Sequence, residues 1–443
     1  MKNKEASRIT TAFLIFYCLS FFIYYSTCAF QQYEKIYGYE SEWIATSIAK
    51  GHGFSLDGAH RWLFESANSG EYYLTAWQDP VFPYIYALLI WLFGPKARLA
   101  ALILNSAGMV GIAVLIYFIS QKLYGRYYGI GAMAALGLHG SYHGNVLQIN
   151  NSILAGLMII ALAACLVCYL DHSINTHLYW LGILLGFTIL TCSITILFLP
   201  AFAILLLFYS RDRLNLALFR VAILIGICIL PVSAWTLRNY MAFSRIIPVR
   251  TGFGQISHIG SVCIGETIAA EIVPDKETSV PYSSRGYRDA VQKTLLSENR
   301  RSLERYQMGL LKAIDPDYRL NEADRDAWLK EVAFDYILKN PLMMIKLAII
   351  KIGCFFQLSG GMGLAYILMA GVGFMAGIFN KNILSLGLIS ICYLAPFTII
   401  IPYFERYRIP LEALMIVLAM SAIKLTVSVL SNTVKSHTAA VLK

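Results

Sequence analysis

The sequence predicts an all-α polytopic membrane protein: about ten transmembrane helices, interfacial helices, and a mainly helical external loop domain. Composition is the first observation, since 58% of the 443 residues are hydrophobic and only 14% charged, where soluble domains carry roughly 25% charged residues. The second is a mean hydropathy of +0.60, built from long uncharged runs rather than scattered apolar residues. The third is the placement of the basic residues: the net charge of +10 is carried by Lys and Arg that flank these runs, as the positive-inside rule requires. A basic patch for nucleic acid would be concentrated on a soluble face, so no nucleic-acid partner is expected.

The elements follow in order. Thr10–Phe30 is uncharged, long enough to cross a bilayer, and preceded by Lys2, Lys4 and Arg8, so it reads as a signal anchor with its N-terminus in the cytoplasm. Residues 31–79 are then outside. Two apolar stretches, 81–93 and 97–120, precede Lys122 and Arg126. For that basic loop to lie inside, only one stretch can span. The first is short and begins with prolines, which makes it a surface helix and 97–120 the second span. Further spans are expected near 128–147, 152–170, 178–193, 194–210 and 217–236, with Arg211, Arg213 and Arg220 inside.

Residues 237–341 form an external loop domain, with helices expected over Tyr287–Ile314, broken at Asp315-Pro316, and over Glu322–Lys339, capped by Asn321. Spanning by 342–358 would bury Lys346 and Lys351 in hydrocarbon at about 2.5 kcal/mol or more each. An interfacial helix lets them snorkel instead. Spans at 363–379, 383–401 and 409–430 complete the chain, with Lys381 inside and Glu405–Arg408 outside. Three regions result: an N-terminal membrane module, 1–236, containing the first outer loop; the external domain, 237–341; and an interfacial helix with C-terminal membrane helices, 342–443. The nine cysteines lie mostly in apolar runs. Cys165 and Cys168 form a lone C-x-x-C without a second pair, which points to packing rather than zinc or a disulfide framework.

The polar residues that remain concentrate on the outer face. In the first outer loop, Ile44, Ala45, Ile48 and Ala49 put one stripe on a short amphipathic helix, which Gly51 and Gly53 terminate. That places Glu40 just before a helix N-terminus, beside the lipid. On the expected topology Arg238, Arg250, Lys346, Lys351, Arg406 and Arg408 share this face. One acid facing several cations is what transfer from a lipid phosphate needs. A base takes a proton from the acceptor hydroxyl while fixed cations stabilise the departing phosphate. Nucleotide sugars are not expected outside the cytoplasm, so the donor should be lipid-linked.

Three stretches resemble bacterial GT-C membrane glycosyltransferases, relatives of protein O-mannosyltransferases and of the lipid A aminoarabinose transferase. They are Tyr39-Glu40 through Gly53-Phe54-Ser55 with Thr75-Ala76-Trp77 and Pro80; Trp235–Tyr240 with Ile247–Arg250; and Glu405–Glu412. The resemblance implies the GT-C fold and a polyprenyl-phosphate monosaccharide donor. It also implies inversion at the anomeric carbon, Glu40 in the slot of the catalytic acid, and donor contacts by Arg406, Tyr407 and Arg408. The acceptor would be a hydroxyl on an envelope glycan, lipid or protein, and the location a bacterial inner membrane with the site on its periplasmic face.

One departure stands out. Many members carry a second acid in the next outer loop, where this chain reads Gln148-Ile149-Asn150-Asn151. No cofactor is therefore indicated, a divalent metal included. Asp79 is the alternative second carboxylate. His139 and His143 have ligand spacing but no third ligand nearby in sequence, so polar packing is the better reading, and His52 in the Gly51–Ser55 turn is a candidate substrate contact. Two rival functions are a lipid-linked sugar transporter and a polymer ligase using a diphosphate-linked donor. The first should carry charges or broken helices at mid-membrane. The second differs in donor.

Overall fold

The computed structural model describes residues 2–36, 38–58, 70–138, 140–172, 174–209, 214–263, 321–357, 360–401 and 405–441. The helix expected over 287–314, its break at Asp315-Pro316, the Arg211-Asp212-Arg213 loop and His139 lie outside these residues.

Nearly everything described is helical. The chain runs α1 (Lys2–Gln32), α2 (Tyr39–Ala49), a short hairpin of β1 (Ser55–Asp57) and β2 (Tyr72–Leu74), then α3 (Val81–Phe93) and α4 (Ala97–Tyr124). It continues through α5 (Arg126–Gly137), α6 (Gly140–Val146), α7 (Ser152–His172), α8 (Asn175–Thr191), α9 (Phe198–Tyr209) and α10 (Leu214–Phe243). After α11 (Phe253–His258) come α12 (Glu322–Lys339), α13 (Pro341–Gln357), α14 (Gly360–Ala376), α15 (Lys381–Ile399) and α16 (Ile409–Val441). Among the described residues, six stretches are long and apolar enough to cross a membrane: Thr10–Lys35, Val81–Tyr124, Ser152–His172, Leu214–Phe243, Lys381–Ile399 and Arg406–Val434. The other four expected spans coincide with the shorter helices α5, α8, α9 and α14.

Two local features differ from the sequence expectation. The stretch 128–147 is not one helix: α5 stops at Gly137 and α6 starts at Gly140. The hairpin was not anticipated either. Ser55 pairs with Leu74, Leu56 with Tyr73 and Asp57 with Tyr72, antiparallel. Phe54, Ser55 and Leu56 are all buried, and a run this short without alternation does not register against the helical signal around it.

The core is a helix bundle in which small residues permit close approach. A Cβ at Gly373 in α14 would lie 2.1 Å from the Leu418 carbonyl oxygen of α16, and one at Gly186 in α8 would lie 2.7 Å from that of Cys228 in α10. The bundle has two chemically distinct ends. At one, Lys122 of α4 pairs with Asp171 of α7 at 3.2 Å, Asn382 of α15 donates to the same carboxylate at 2.9 Å, and the Lys381 ammonium donates to the Leu170 carbonyl. Arg98 sits 24 residues earlier on α4, about 36 Å away along the axis, and pairs with Glu42 of α2 at 2.7 Å. Lys122 and Lys381, both expected inside, thus lie together at the end opposite α2.

Candidate active site

The site begins at the start of α2. The helix opens at Tyr39, so Glu40 lies in its first turn rather than just before it. Gly38 precedes it because the chain passes close to the 148–150 turn: a Cβ there would lie 2.8 Å from Ile149. At the other end, Gly51 (φ +86°) and Gly53 (φ +70°) take left-handed conformations that turn the chain into the hairpin.

Two carboxylates share the first turn and differ completely in their partners. Glu42 accepts from the Gly38 amide at 2.8 Å, from Arg98 Nε at 2.7 Å and from the Tyr86 hydroxyl at 3.4 Å. Glu40 is half-buried and accepts no hydrogen bond and makes no ion pair with any described residue. The charge it faces is Arg406, on which it acts electrostatically. Arg406 in turn is held by its neighbour: its Nη2 donates to the Tyr407 hydroxyl at 3.3 Å, and its guanidinium sits 5.2 Å from the Tyr407 ring centre. Tyr407 packs against Phe397 at 4.9 Å and Phe397 against the buried Tyr393 at 5.3 Å. The acid at the start of α2 and the arginine before α16, some 366 residues apart in sequence, are therefore within electrostatic reach of each other without forming an ion pair.

The remaining candidates are placed differently. Arg408 is 1% exposed and pairs with Glu412 one turn on, at 2.6 Å. Arg238 binds the first loop: it donates to the carbonyls of Thr75 at 2.7 Å and Phe54 at 2.6 Å, and lies against Phe54 and Trp235. Arg250 faces Asp79 at 3.7 Å, donates to the Thr251 carbonyl at 3.0 Å and stacks on Trp77. Asp79 is buried, accepts from the Ser193 amide at 3.2 Å, and has its pKa raised because burial outweighs Arg250 and Ser193.

Lys346 is half-buried. Lys351 corrects the snorkelling expectation: only 2% exposed, it turns inward and donates to the Ile399 carbonyl at 3.4 Å, where the C-terminal end of α15 offers unsatisfied acceptors. His52 is exposed and stacks on Tyr72 with ring centres 3.6 Å apart. His143 bonds Tyr25 and the Gly137 carbonyl oxygen, filling the break between α5 and α6.

Sequence reasoning missed Glu322. It lies in the first turn of α12, where an acid after the Asn321 cap looks like ordinary helix chemistry. In the fold it is buried, and it accepts from the Thr75 hydroxyl at 2.6 Å, the Ala76 amide at 2.9 Å and the Thr251 hydroxyl. Tyr393 was missed because nothing sets it apart within an apolar run. No three His, Cys, Asp or Glu side chains among the described residues come together as a metal site.

Residues 78–235 match the family model described as dolichyl-phosphate-mannose-protein mannosyltransferase. This segment starts beyond Glu40 and stops before Arg238 and Arg406. Among solved structures, the fold is similar to that of the Archaeoglobus fulgidus oligosaccharyltransferase, captured tethered to an acceptor peptide containing the NVT sequon, with a TM-score of 0.51 at 9% identity. The likeness covers 93% of this chain and 49% of the other, so the chain spans about half the length of that enzyme. No curated protein sequence matches. The chain is thus an all-helical, multi-pass protein whose residues 78–235 match that mannosyltransferase family model and whose fold is similar to that of the oligosaccharyltransferase.

Proposed function

We propose that this protein moves a monosaccharide from a polyprenyl-phosphate carrier to a hydroxyl on an envelope glycan, lipid or protein at the outer face of a bacterial inner membrane, with inversion at the anomeric carbon. The observation that carries the reading is Glu40: a half-buried carboxylate with no described hydrogen-bond or ion-pair partner, facing Arg406. A half-buried carboxylate that no protein donor occupies has lone pairs open to a substrate hydroxyl. In this reading Glu40 takes the proton of the acceptor hydroxyl, whose oxygen attacks the anomeric carbon as the bond to the carrier phosphate breaks. Arg406 receives the growing negative charge of the leaving phosphate, its planar fork held at the angle Tyr407 sets.

The other basic residues then divide by what they already hold. Arg238 and Arg250 fix the first loop, Arg408 fixes the start of α16, and Lys351 ties α13 to the end of α15. The test is to incubate purified protein with a panel of radiolabelled polyprenyl-phosphate sugars and follow hydrolysis or transfer. One member of the panel should be consumed. Consumption of a diphosphate-linked oligosaccharide instead, with every monophosphate sugar inert, would overturn the donor assignment in favour of a polymer ligase.

A further inference from the structure

The two helices that follow the 264–320 segment carry an apolar surface that neither the fold nor the proposed chemistry uses. Phe334, Leu338, Leu342, Ile345, Ile349 and Ile352 succeed one another at steps of three or four residues, and all are exposed: Leu338 is 78% and Leu342 80% accessible. This spacing keeps them on one face, and the face continues from α12 into α13 across the turn at Asn340-Pro341. The opposite face is the packed one, with Leu329, Ala333, Met344, Leu347 and Lys351 all buried. The stripe is therefore the outward surface of both helices.

What covers it follows from the levels at which the two helices are tied. The start of α12 is fixed in the outer layer through Glu322, which binds Thr75, Ala76 and Thr251. The inner face of α13 packs on α14 and α15, with Lys351 reaching the last turn of membrane-crossing α15 at Ile399. Between these points α12 changes character. Its exposed positions Lys330 and Glu331 are charged, its first exposed large apolar residue is Phe334, 41% accessible with its ring 6.4 Å from that of Phe253, and the exposed ion pair of Asp335 and Lys339 runs beside Leu338. Lys339, paired with Asp335 at 2.8 Å, and Lys346 then lie seven residues apart in sequence, and lysines beside an apolar stripe are suited to anionic lipid headgroups.

We infer that the water–lipid boundary of the outer leaflet crosses α12 between Glu331 and Phe334, so that the last turns of this external helix, and not α13 alone, are seated in an anionic phospholipid surface. The external domain is then fixed to the bilayer at one end of α12 and to the first outer loop at the other. This rests on the membrane-spanning fold and is independent of the proposed glycosyl transfer.

The test uses the full chain in vesicles of phosphatidylethanolamine and phosphatidylglycerol. A benzoylphenylalanine is placed at Leu338, at Leu342, or at Lys330, one turn above Phe334 on the same face. Irradiation should give mass adducts of one phospholipid at 338 and 342, several-fold above the level at 330. The unmodified protein, irradiated with diazirine-bearing phospholipid, should carry label in peptides covering residues 334–346. Crosslinks from 338 or 342 into another segment of the chain would show the stripe to be a protein interface and overturn the inference. So would the absence of lipid label in the unmodified protein, or equal lipid adducts at 330 and 338.

Discussion

The two ends of the first outer loop both carry acids, and the fold treats them in opposite ways. At the far end, Thr75–Asp79 is saturated. Glu322 takes three donors from Thr75, Ala76 and Thr251, Asp79 faces Arg250 and the Ser193 amide, and Arg238 grips two backbone carbonyls. At the near end, Glu42 is likewise filled, while Glu40, two residues earlier, has no described donor at all. Buried polar groups that meet their partners inside the protein hold structure, and those left wanting partners are where a substrate is accommodated. Charge and exposure to the outer face, the only criteria the sequence offered, do not separate these classes. Partner lists do.

The sharpest way to break this comparison is Glu40→Gln, which keeps shape while removing proton acceptance. Positioned bases contribute on the order of 10²–10⁴ in rate, and a transfer rate reduced by that factor, with folding and donor affinity retained, is the expected outcome. Glu40→Asp, one methylene shorter, should also lose much of the activity, because a base must lie within reach of the hydroxyl. Initial rates alongside donor binding measure both. Near-normal transfer by the Gln variant would move the chemistry elsewhere and leave Glu40 an ordinary surface acid.

A second cut runs between two arginines two positions apart. Arg406 faces Glu40 and rests on Tyr407, whereas Arg408 is buried against Glu412. Arg406→Lys keeps the charge but not the fork, so turnover should fall about tenfold to a hundredfold, as expected when a charged hydrogen bond is lost, with folded protein recovered in normal yield. Arg408→Ala removes the cation of a buried ion pair with Glu412, a change that costs about 3–5 kcal/mol, and it should show as lost folded protein. Melting in detergent and rate per folded molecule separate the two. The reverse pattern, with Arg406→Lys unfolding and Arg408→Ala slowing turnover of intact protein, would exchange their roles.

Much of this architecture was legible in sequence because the signals were long. Uncharged runs of twenty residues, and Lys or Arg at their ends, leave few alternatives, and the expected span positions coincide with helices from α1 to α16. The end of one helix at Gly137 was invisible because a run of small and apolar residues with glycines reads as one helix. Glu40 and Arg406 were legible one by one, through local motifs. Their electrostatic coupling was not, since no periodicity links the ends of a chain. Glu322 and Tyr393 illustrate the limit in the other direction, because a first-turn acid and an aromatic in an apolar run each have an ordinary explanation until the tertiary contacts are known.

The smallest expected effect tests the saturated end. Burial raises the pKa of Glu322 above its ordinary value of 4.5, outweighing the three hydrogen bonds it accepts. A carboxyl raised in this way contributes stability that is present below its unfolded pKa and lost as pH rises through its folded one. The wild-type protein should therefore gain stability relative to Glu322→Gln as pH falls from neutral toward about 4.5. Other groups titrate in the same window. His258, lowered by burial from 6.5 to about 4, contributes in the opposite sense: its stabilisation is present above 6.5 and lost on acidification. Asp79 and Asp326 are raised by burial like Glu322. His258 and Asp79 are common to both proteins, so the difference in melting temperature between wild type and variant reports Glu322 together with its coupling to Asp326, with an expected amplitude of about 2–4 °C per kcal/mol of changed stability. A difference that stays flat with pH would mean that Glu322 keeps an ordinary acidity, with its three donors compensating for burial, and that the saturated end is held by hydrogen bonds without an electrostatic cost.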